Sequence, residues 1–315
     1  MLSFYIVLSS LPNPPTCEQM NIVVLGPGAI GSLWASHLHT AGHSVSVWSR
    51  QTSPMVSIQL EQNQPVSFDN NSHDSLDKAD LILVTLKAPQ VASSLQTLVD
   101  NICSETMIVL MHNGMGTAEL VSQLMPNNPL MVATTTHGAL RESQGTVLHT
   151  GQGMTEIGGY NDAGKRCSFV AEVFQHSLPQ VKWNPDILSA LWNKLAINCA
   201  INPLTAIEQV ANGALAEEQY ATTLQSVVEE VAQVMQAEGM STSSEQLASS
   251  VAKVIQATAS NLSSMNQDIV HQRQSEIDFI TGYLIERAQS HGIATPVNSA
   301  LYQAVKNIEQ GWNQQ

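Results

Sequence analysis

The apolar residues follow two different patterns in the two halves of the chain. In the first half, short apolar runs alternate with helical patterns, as expected for a parallel β-sheet covered by helices. These runs lie at residues 22–25, 45–48, 79–85, 106–111 and 129–136. From about Pro185 onward, long helical periodicity replaces them. The pattern predicts an α/β fold with an N-terminal Rossmann domain and an all-helical C-terminal domain.

A glycine motif directly follows the first apolar run, and a helical pattern ending at Gly42 follows the motif. In the spacing G-x-G-x-x-G, the first glycine permits a tight turn and the second admits a pyrophosphate. The third lets the helix pack closely on the strand. An ordinary glycine turn is the alternative, but the strand–helix context favours a dinucleotide site. The residues of the predicted site are Gly26, Pro27, Gly28, Ala29, Ile30 and Gly31.

The end of the second strand indicates which dinucleotide is bound. NAD-binding proteins usually carry a carboxylate there, but this strand ends in Trp48-Ser49-Arg50. A guanidinium can bind a 2′-phosphate that a carboxylate would repel. Arg50 therefore predicts NADPH or NADP⁺, with a solvated loop arginine as the alternative. Lys87 lies just past another strand end, where ligands of open α/β sheets bind.

Composition excludes several classes of protein. The 315 residues include 12 Lys and Arg against 26 Asp and Glu, a formal net charge of −14. This acidity argues against nucleic acid or an anionic membrane as a partner. The four cysteines form no C-x-x-C pair and the ten histidines no H-E-x-x-H, so we expect reduced thiols in the cytoplasm and no metal site. We expect residues 1–19 to be an extension outside the fold, since they lack the basic start of a signal peptide.

The predicted domains span residues 20–185 and 186–315. In the first, we expect a loose connection at 51–77 with one short strand near 66–68. A hairpin of residues 145–150 and 155–157 is expected to finish the sheet. In the second, we predict helices at 187–200, 204–209, 217–238, 243–256, 274–291 and 296–310, with a capping box near Ser243. Pro203 is expected to interrupt the helix there.

Two clusters in the second half could carry chemistry. Lys194, Asn198 and Asn202 are four residues apart, so they share one face of a helix. A lysine among apolar neighbours can have a lowered pKa, which suits a proton donor. The alternative is a snorkelling lysine with two surface amides. Glu276 is expected near the start of an apolar-striped helix, where a purely structural first-turn acid is the alternative. Ser264 could offer a hydroxyl to a carboxylate.

Several motifs together make the chain resemble the ketopantoate reductase family. They are NIVVLGPGAIGSLW, VTLKAPQV, HNGMGT, LWNKLAINCAINPLTA, NLSSMNQDI and SEIDFITGYL. The resemblance covers residues from about 21 to 308 in the order of the family. It implies an active site between a Rossmann and a helical domain, and NADPH-dependent reduction of 2-dehydropantoate to (R)-pantoate. The extension before Met20 is the one departure from the family pattern.

The resemblance also implies roles for single residues. Lys194 corresponds to the catalytic lysine and Glu276 to the active-site glutamate, which also lies at the cofactor. Arg50 and Lys87 correspond to the pair at the adenosine 2′-phosphate, and the backbone around Ala139 to a cofactor contact. Asn113 is expected near both nicotinamide and substrate. The other substrate-binding positions are Asn198, Asn202, Asn212 and Ser264.

Two rival functions remain open at this level. One is a two-domain NADPH-dependent reductase of another small 2-oxo or 3-hydroxy acid. The other is a non-catalytic protein that senses NADP, which would not need the lysine and the glutamate. The partner is expected to be a small-molecule substrate, and the oligomeric state a monomer or a dimer.

Overall fold

The computed structural model describes residues 19–142 and 145–312. Its strands in the first half are β1 (Asn21–Leu25), β2 (Ser44–Trp48), β3 (Met55–Leu60), β4 (Val66–Asp69), β5 (Leu81–Val84), β6 (Met107–Met111), β7 (Leu130–Thr135), β8 (Gly138–Arg141), β9 (Thr146–Gly151), β10 (Thr155–Gly159) and β11 (Val181–Trp183). The helices between them are α1 (Ala29–Thr40), α2 (His73–Asp77), α3 (Ala88–Gln96), α4 (Thr117–Leu124) and α5 (Val170–Ser177). The predicted Rossmann arrangement of this half is confirmed.

The main sheet has the strand order β11-β10-β7-β6-β5-β1-β2. The strands from β7 to β2 pair in parallel, so their carboxyl ends meet at one edge. Each central strand is buried on both faces, which explains why the sequence shows apolar runs rather than alternation. Strand β10 runs antiparallel to β7. The site residues of the first half follow the carboxyl ends of these strands.

The predicted hairpin at residues 145–157 is wrong. Strand β9 lies in a second sheet of order β4-β3-β9-β8, whereas β10 pairs with β7 in the main sheet. The connection between them passes beside Thr136 and His137, since the Thr136 N–H donates to the Met154 carbonyl at 2.9 Å. This contact carries the chain from one sheet to the other. The second sheet also contains β3, which the prediction of a loose connection at 51–77 missed.

The second half is helical, as predicted. Its helices are α6 (Ile187–Glu208), α7 (Glu218–Ala237), α8 (Ser244–Ala257), α9 (Ser264–Val270), α10 (Thr281–Ser290) and α11 (Pro296–Gly311). They enclose a separate apolar core that includes Trp192, Leu195, Val231 and Leu284. The predicted capping box is present, with Ser243 and Gln246 bonding each other's backbone N–H at the start of α8. Among the described residues, no helix combines the length and apolar character needed to cross a membrane.

Three helix predictions need correction. Helix α6 is continuous through Pro203, because only the bond to the Cys199 carbonyl is lost and both neighbouring turns are buried. Helix α9 was not predicted. Helix α10 begins at Thr281 rather than at 274, since a short 3₁₀ turn at Ile277–Phe279 precedes it. Glu276 therefore lies ahead of this turn, not in the first turn of a long helix.

The first described residues already belong to the fold. Met20 is buried, and its backbone N–H donates to His43 Nδ1 at 3.2 Å. Its carbonyl accepts from the Ser44 N–H at 2.9 Å and so extends the pairing of β1 with β2. Residues 1–18 of the predicted extension, with Cys17, lie outside the described residues. Cys103, Cys167 and Cys199 are free thiols.

Candidate active site

The glycine loop between β1 and α1 has three different steric requirements. Gly26 has a positive φ of +90°, which favours glycine. A side chain at Gly31 would overlap the Thr85 hydroxyl and the Gly26 carbonyl, so the helix can approach the sheet only with glycine there. A Cβ at Gly28 would meet nothing closer than 4.0 Å, which leaves its outer surface open to a ligand. The loop thus combines a tight turn, close packing and an accessible backbone.

The start of α1 suits an anion. No acidic side chain lies in its first turn, and no side chain caps it. Within the described residues, the backbone N–H groups of Ala29, Ile30 and Gly31 donate to no protein acceptor. Free N–H groups and the positive end of the helix dipole favour a phosphate at this position. The residues present therefore fit the diphosphate of a dinucleotide.

Arg50 follows β2 at the same edge of the sheet. The Gly26 N–H donates to the Trp48 carbonyl at 2.9 Å, which joins the glycine loop to the end of β2. The next residue, Ser49, donates from its N–H to Asn71 Oδ1 at 2.9 Å. These bonds fix the backbone that carries Arg50, whose side chain is exposed. The guanidinium is therefore open to solvent at the same edge of the sheet as the glycine loop.

Lys194 extends from the middle of α6 towards the main sheet. Its Nζ donates to the Thr135 carbonyl at 2.9 Å, at the end of β7. The side chain is partly buried, and burial lowers its pKa to about 8 although the nearby Glu276 acts in the opposite direction. An ammonium group with this pKa can give up its proton near neutral pH. The backbone carbonyl holds it at the carboxyl edge of the sheet.

Glu276 bonds to two elements of the first half. Its Oε1 accepts from the Ala88 N–H at 3.1 Å and its Oε2 from Asn113 Nδ2 at 3.0 Å. The residue is only 7% exposed. Burial raises its pKa, while the bonds from Asn113 and Ala88 and the charges of Lys87 and Lys194 counteract this. Lys194 and Glu276 thus both extend from the helical half to groups of the first half, and the charge of each acts on the pKa of the other.

The turn after β6 places Asn113 through a buried histidine. His112 Nδ1 lies 2.9 Å from the Asn113 carbonyl, so this nitrogen must carry the hydrogen. Nε2 therefore accepts from the Thr117 hydroxyl at 2.8 Å. Burial, assisted by the charge of Lys194, lowers the pKa of His112 to about 4. His112 is neutral at physiological pH, which leaves Lys194 as the acid at this point.

The same turn touches the segment that carries Glu276. Gly114 has a φ of +83°, and a side chain there would overlap the Phe279 backbone. The Met115 N–H donates to the Phe279 carbonyl at 2.8 Å. This close approach requires glycine at position 114. It brings the turn after β6 and the 3₁₀ turn after Glu276 into direct contact.

Asn198 and Asn202 follow Lys194 by one and two helical turns on the same face of α6. Asn202 is 6% exposed and Asn198 partly buried. In the part of the chain that the structure describes, neither side-chain amide bonds to another protein group. Buried amides normally have hydrogen-bond partners. The two amides are therefore available to a polar ligand beside Lys194.

The structure gives other predicted residues local partners. The Asn212 side-chain amide donates to Thr258 Oγ1 at 2.9 Å. Its Oδ1 is buried and accepts no hydrogen bond from any described residue. Ser264 is exposed at the start of α9. Its neighbour Ser263 is buried, bonds to Thr205 Oγ1 at 2.7 Å, and caps α9. Ser263 thereby attaches the start of α9 to α6.

Among the described residues, Lys87 and Ala139 form no hydrogen bond with the side chains of Lys194 or Glu276. Lys87 Nζ forms an ion pair with Asp268 Oδ1 at 2.7 Å and donates to the Gln274 carbonyl at 2.9 Å. Its ammonium therefore joins α3 to the helical domain. Ala139 in β8 is partly buried and packs, like Ile30, against the core of the first half. In the described ranges, no group of three or more His, Cys, Asp or Glu side chains could hold a metal ion.

Sequence reasoning missed three partners of the site. Asp268 belongs to a short helix that has no long apolar period to reveal it. The Thr135 carbonyl and the Ala88 N–H are backbone groups, which leave no signal in the sequence. Only Asp268 could have been found, as a charged residue among buried neighbours.

A Rossmann sheet with an open glycine loop, facing a helical domain that supplies a lysine and a glutamate, defines a two-domain oxidoreductase that uses a nicotinamide dinucleotide. The chain belongs to the ketopantoate reductase family. The family model described as "Ketopantoate reductase PanE/ApbA" matches residues 22–162, and the one described as "Ketopantoate reductase PanE/ApbA C terminal" matches residues 186–309.

Individual relatives agree with this assignment. The chain is 55% identical over 294 residues to the 2-dehydropantoate 2-reductase of Vibrio cholerae serotype O1, covering 93% of this chain and 99% of that protein. The solved PanE/ApbA family ketopantoate reductase of Ralstonia eutropha JMP134 superposes with a TM-score of 0.82 at 26% identity, covering 92% and 99%. A D-mandelate dehydrogenase with NADH and anilino(oxo)acetate gives 0.84 at 22% identity, covering 93% and 99%, and shows the shared fold.

Proposed function

We propose that this chain reduces the ketone of 2-dehydropantoate to the hydroxyl of (R)-pantoate with NADPH, a step of pantothenate and coenzyme A biosynthesis. The observation that carries the proposal is that Lys194 and Glu276, both from the helical domain, hydrogen-bond to the Rossmann domain at the carboxyl edge of its sheet. Membership of the family and the 55% identical relative support the same substrate. A non-catalytic sensor of NADP would not require this pair.

We propose NADPH rather than NADH because of Arg50. The guanidinium lies where an NAD-binding protein usually carries a carboxylate, and it can bind a 2′-phosphate bidentately. The loop from Gly26 to Gly31 and the start of α1 would hold the diphosphate. Lys87 is placed at the same edge but is bonded to Asp268. For Lys87 to bind the 2′-phosphate together with Arg50, its ammonium would therefore have to leave Asp268.

The chemistry needs a hydride at the ketone carbon and a proton at its oxygen. Bound NADPH supplies the hydride. Lys194 Nζ donates the proton to the oxygen and returns to the ammonium form by taking a proton from water. Its positive charge also stabilises the negative charge that develops on the oxygen. A pKa of about 8 lets Lys194 be protonated at neutral pH and still release its proton readily.

Glu276 and the amides would orient the substrate. The carboxylate of Glu276, fixed by Asn113 and the Ala88 N–H, can accept from a substrate hydroxyl and keeps Lys194 charged. Asn198 and Asn202 have amides without protein partners and can bind the carboxylate of a 2-oxo acid. Asn113, Asn212 and Ser264 complete the proposed substrate contacts. Of these, Asn212 would have to act through its unpaired Oδ1.

The test is the oxidation of NADPH by the purified chain with and without 2-dehydropantoate. We expect substrate-dependent loss of NADPH absorbance, formation of (R)-pantoate, and faster turnover than with pyruvate, 2-oxoisovalerate or phenylglyoxylate. A higher kcat/KM for one of these acids would assign the chain to another 2-oxo acid. Absence of turnover despite tight NADPH binding would favour the sensor.

Two further properties belong to the proposal. A biosynthetic reductase that uses NADPH, with free thiols, is expected in the cytoplasm. We also propose that it works as a monomer or a dimer, which light scattering during size-exclusion chromatography would decide.

A further inference from the structure

The C-terminal helix α11 bonds to the residue immediately before Glu276. Glu309 Oε1 accepts from the Ser275 N–H at 2.9 Å and from the Ser275 hydroxyl at 2.7 Å. Glu309 is 8% exposed and Ser275 fully buried. Hydrogen bonds to a charged group are the strong ones, and a buried carboxylate that accepts two of them holds its partner closely. The backbone on the N-terminal side of Glu276 is therefore fixed to α11.

The same helix bonds to the residue two positions after Glu276. The Tyr302 hydroxyl donates to Asp278 Oδ1 at 2.7 Å, and Lys306 Nζ donates to Asp278 Oδ2 at 2.9 Å. Lys306 also lies 3.5 Å from Glu309 Oε2, so the two anchoring points are themselves connected. Both oxygens of Asp278 are thus occupied by side chains of α11.

Glu276 lies between these anchoring points, and among the described residues its side chain bonds to Ala88 and Asn113 rather than to α11. Its carbonyl accepts from the N–H groups of Phe279 and Ile280, each at 3.0 Å, which closes the 3₁₀ turn. On the far side, the Phe279 carbonyl accepts from the Met115 N–H. The segment 275–279 is therefore held by α11 on one side and by the turn after β6 on the other. The carboxylate of Glu276 reaches its partners from this fixed backbone.

We propose that Tyr302, Lys306 and Glu309 are positioning residues of the reaction, because they fix the backbone that presents Glu276 to Lys194 and the substrate. This inference rests on the proposed function. The network lies behind the active site and, on this geometry, contacts neither substrate nor cofactor. Its effect on the reaction passes entirely through the placement of Glu276.

A displacement of Glu276 should change the pKa of Lys194, which a mere loss of stability would not do. In the described part of the chain, the titratable groups whose charges are coupled to that of Lys194 are Glu276 and the neutral His112, and Glu276 is the one that raises the lysine pKa. If Glu276 moves away, the pKa of Lys194 falls and the protonated form is lost at lower pH. The alkaline limb of the pH profile of kcat/KM then shifts downward. A misplacement of about 1 Å can also cost about a hundredfold in rate.

The experiment compares Glu309→Ala, Glu309→Gln and Tyr302→Phe with Val305→Ala. Val305 is fully buried on the same helix, so its truncation loosens α11 without removing a bond to residues 275–278. For each variant, kcat and the KM values for 2-dehydropantoate and NADPH are measured over a range of pH. Tm is measured for the same variants. Tyr302→Phe keeps the ring and removes one hydroxyl, so it should fold even if Glu309→Ala does not.

We expect Glu309→Ala to lower kcat/KM for 2-dehydropantoate about tenfold to a hundredfold and to move the alkaline limb to lower pH. Tyr302→Phe should act in the same direction but less. Glu309→Gln keeps an acceptor for Ser275 and should recover most of the loss. Val305→Ala should lower Tm only. Equal pH profiles for all variants, or a shift with Val305→Ala, would overturn the inference.

Glu276→Gln separates this inference from the proposed function. Suppose that Glu276→Gln lowers kcat/KM and moves the alkaline limb of the pH profile, while Glu309→Ala and Tyr302→Phe do neither. The positioning role of the α11 residues is then wrong, and the proposed reductase function stands. If Glu276→Gln itself changes nothing, the proposed role of Glu276 fails, and the positioning role fails with it.

Discussion

Replacement of Lys194 by methionine should remove most of the activity and at the same time make the protein more stable. Methionine has nearly the length of lysine and carries no charge, so it can occupy the same space beside Thr135. Burial has lowered the lysine pKa from 10.5 to about 8. The folded protein therefore holds the ammonium at a cost in free energy, which the neutral side chain does not incur.

The size of the gain follows from the pKa shift. One pKa unit corresponds to about 1.4 kcal/mol, so a shift of this size costs the folded protein about 3 kcal/mol at neutral pH. The lysine gives up one hydrogen bond to the Thr135 carbonyl on replacement, which offsets about 1 kcal/mol. We therefore expect Lys194→Met to raise the free energy of unfolding by about 2 kcal/mol at pH 7.

The gain should depend on pH in one direction. Between pH 8 and 10.5 the unfolded chain binds a proton at this lysine and the folded chain does not. The stability of the unaltered protein therefore rises with pH across this window, and the advantage of Lys194→Met shrinks. Below pH 8 both states bind the proton, so the advantage is full and constant.

Urea unfolding of both proteins at pH 7 and at pH 9.5 tests this, with Lys253→Met as the control. Lys253 is exposed on α8, so its replacement should change stability little at either pH. Activity of Lys194→Met should fall by about a hundredfold to ten-thousandfold, as expected for loss of a general acid. A variant that is less stable than the unaltered protein at pH 7, or an advantage that does not shrink at pH 9.5, would refute the reasoning.

Three further predictions follow from the same geometry. The alkaline limb of kcat/KM should fall tenfold per pH unit above about pH 8, where Lys194 loses its proton, and a flat profile to pH 9.5 would exclude it as the acid. Arg50→Ala should raise the KM for NADPH and leave that for NADH nearly unchanged, whereas equal losses with both would show that Arg50 does not bind the 2′-phosphate. Gly31→Ala should lower stability by about 1–3 kcal/mol and weaken NADPH binding, because its methyl group overlaps Thr85. Gly311→Ala is the control, because a Cβ there meets nothing within 4 Å and its φ is not positive.

The fold of the first half was predictable because its central strands are buried on both faces. Runs such as residues 22–25 and 106–111 are typical of a covered parallel sheet, and the glycine motif predicts the first crossover. The hairpin prediction failed for a long-range reason. Strand β9 pairs with β3 and β8, and the contact between Thr136 and Met154 that redirects the chain joins residues 18 positions apart.

The candidate site was predictable where one helix carries it. Lys194, Asn198 and Asn202 share a face by spacing alone, and the structure keeps them on one continuous helix. Their partners come from distant parts of the chain, so local pattern could not supply them. Glu276 meets Ala88 and Asn113, which are 188 and 163 residues away. Backbone donors and acceptors, such as the Thr135 carbonyl, are invisible in a sequence.

The pKa of Lys194 depends on the ionisation states of Glu276 and His112. Burial alone would push the lysine pKa further down and leave little of the protonated acid at pH 7. Glu276 prevents this, but only if it stays ionised against its own burial, which the bonds from Asn113 and the Ala88 N–H favour. A charged His112 would lower the lysine pKa again, and burial keeps this histidine neutral, although its bond to the Asn113 carbonyl acts in the opposite direction. The pKa of the proton donor therefore depends on the groups around it, and the position of Glu276 is the one to which that pKa responds most directly.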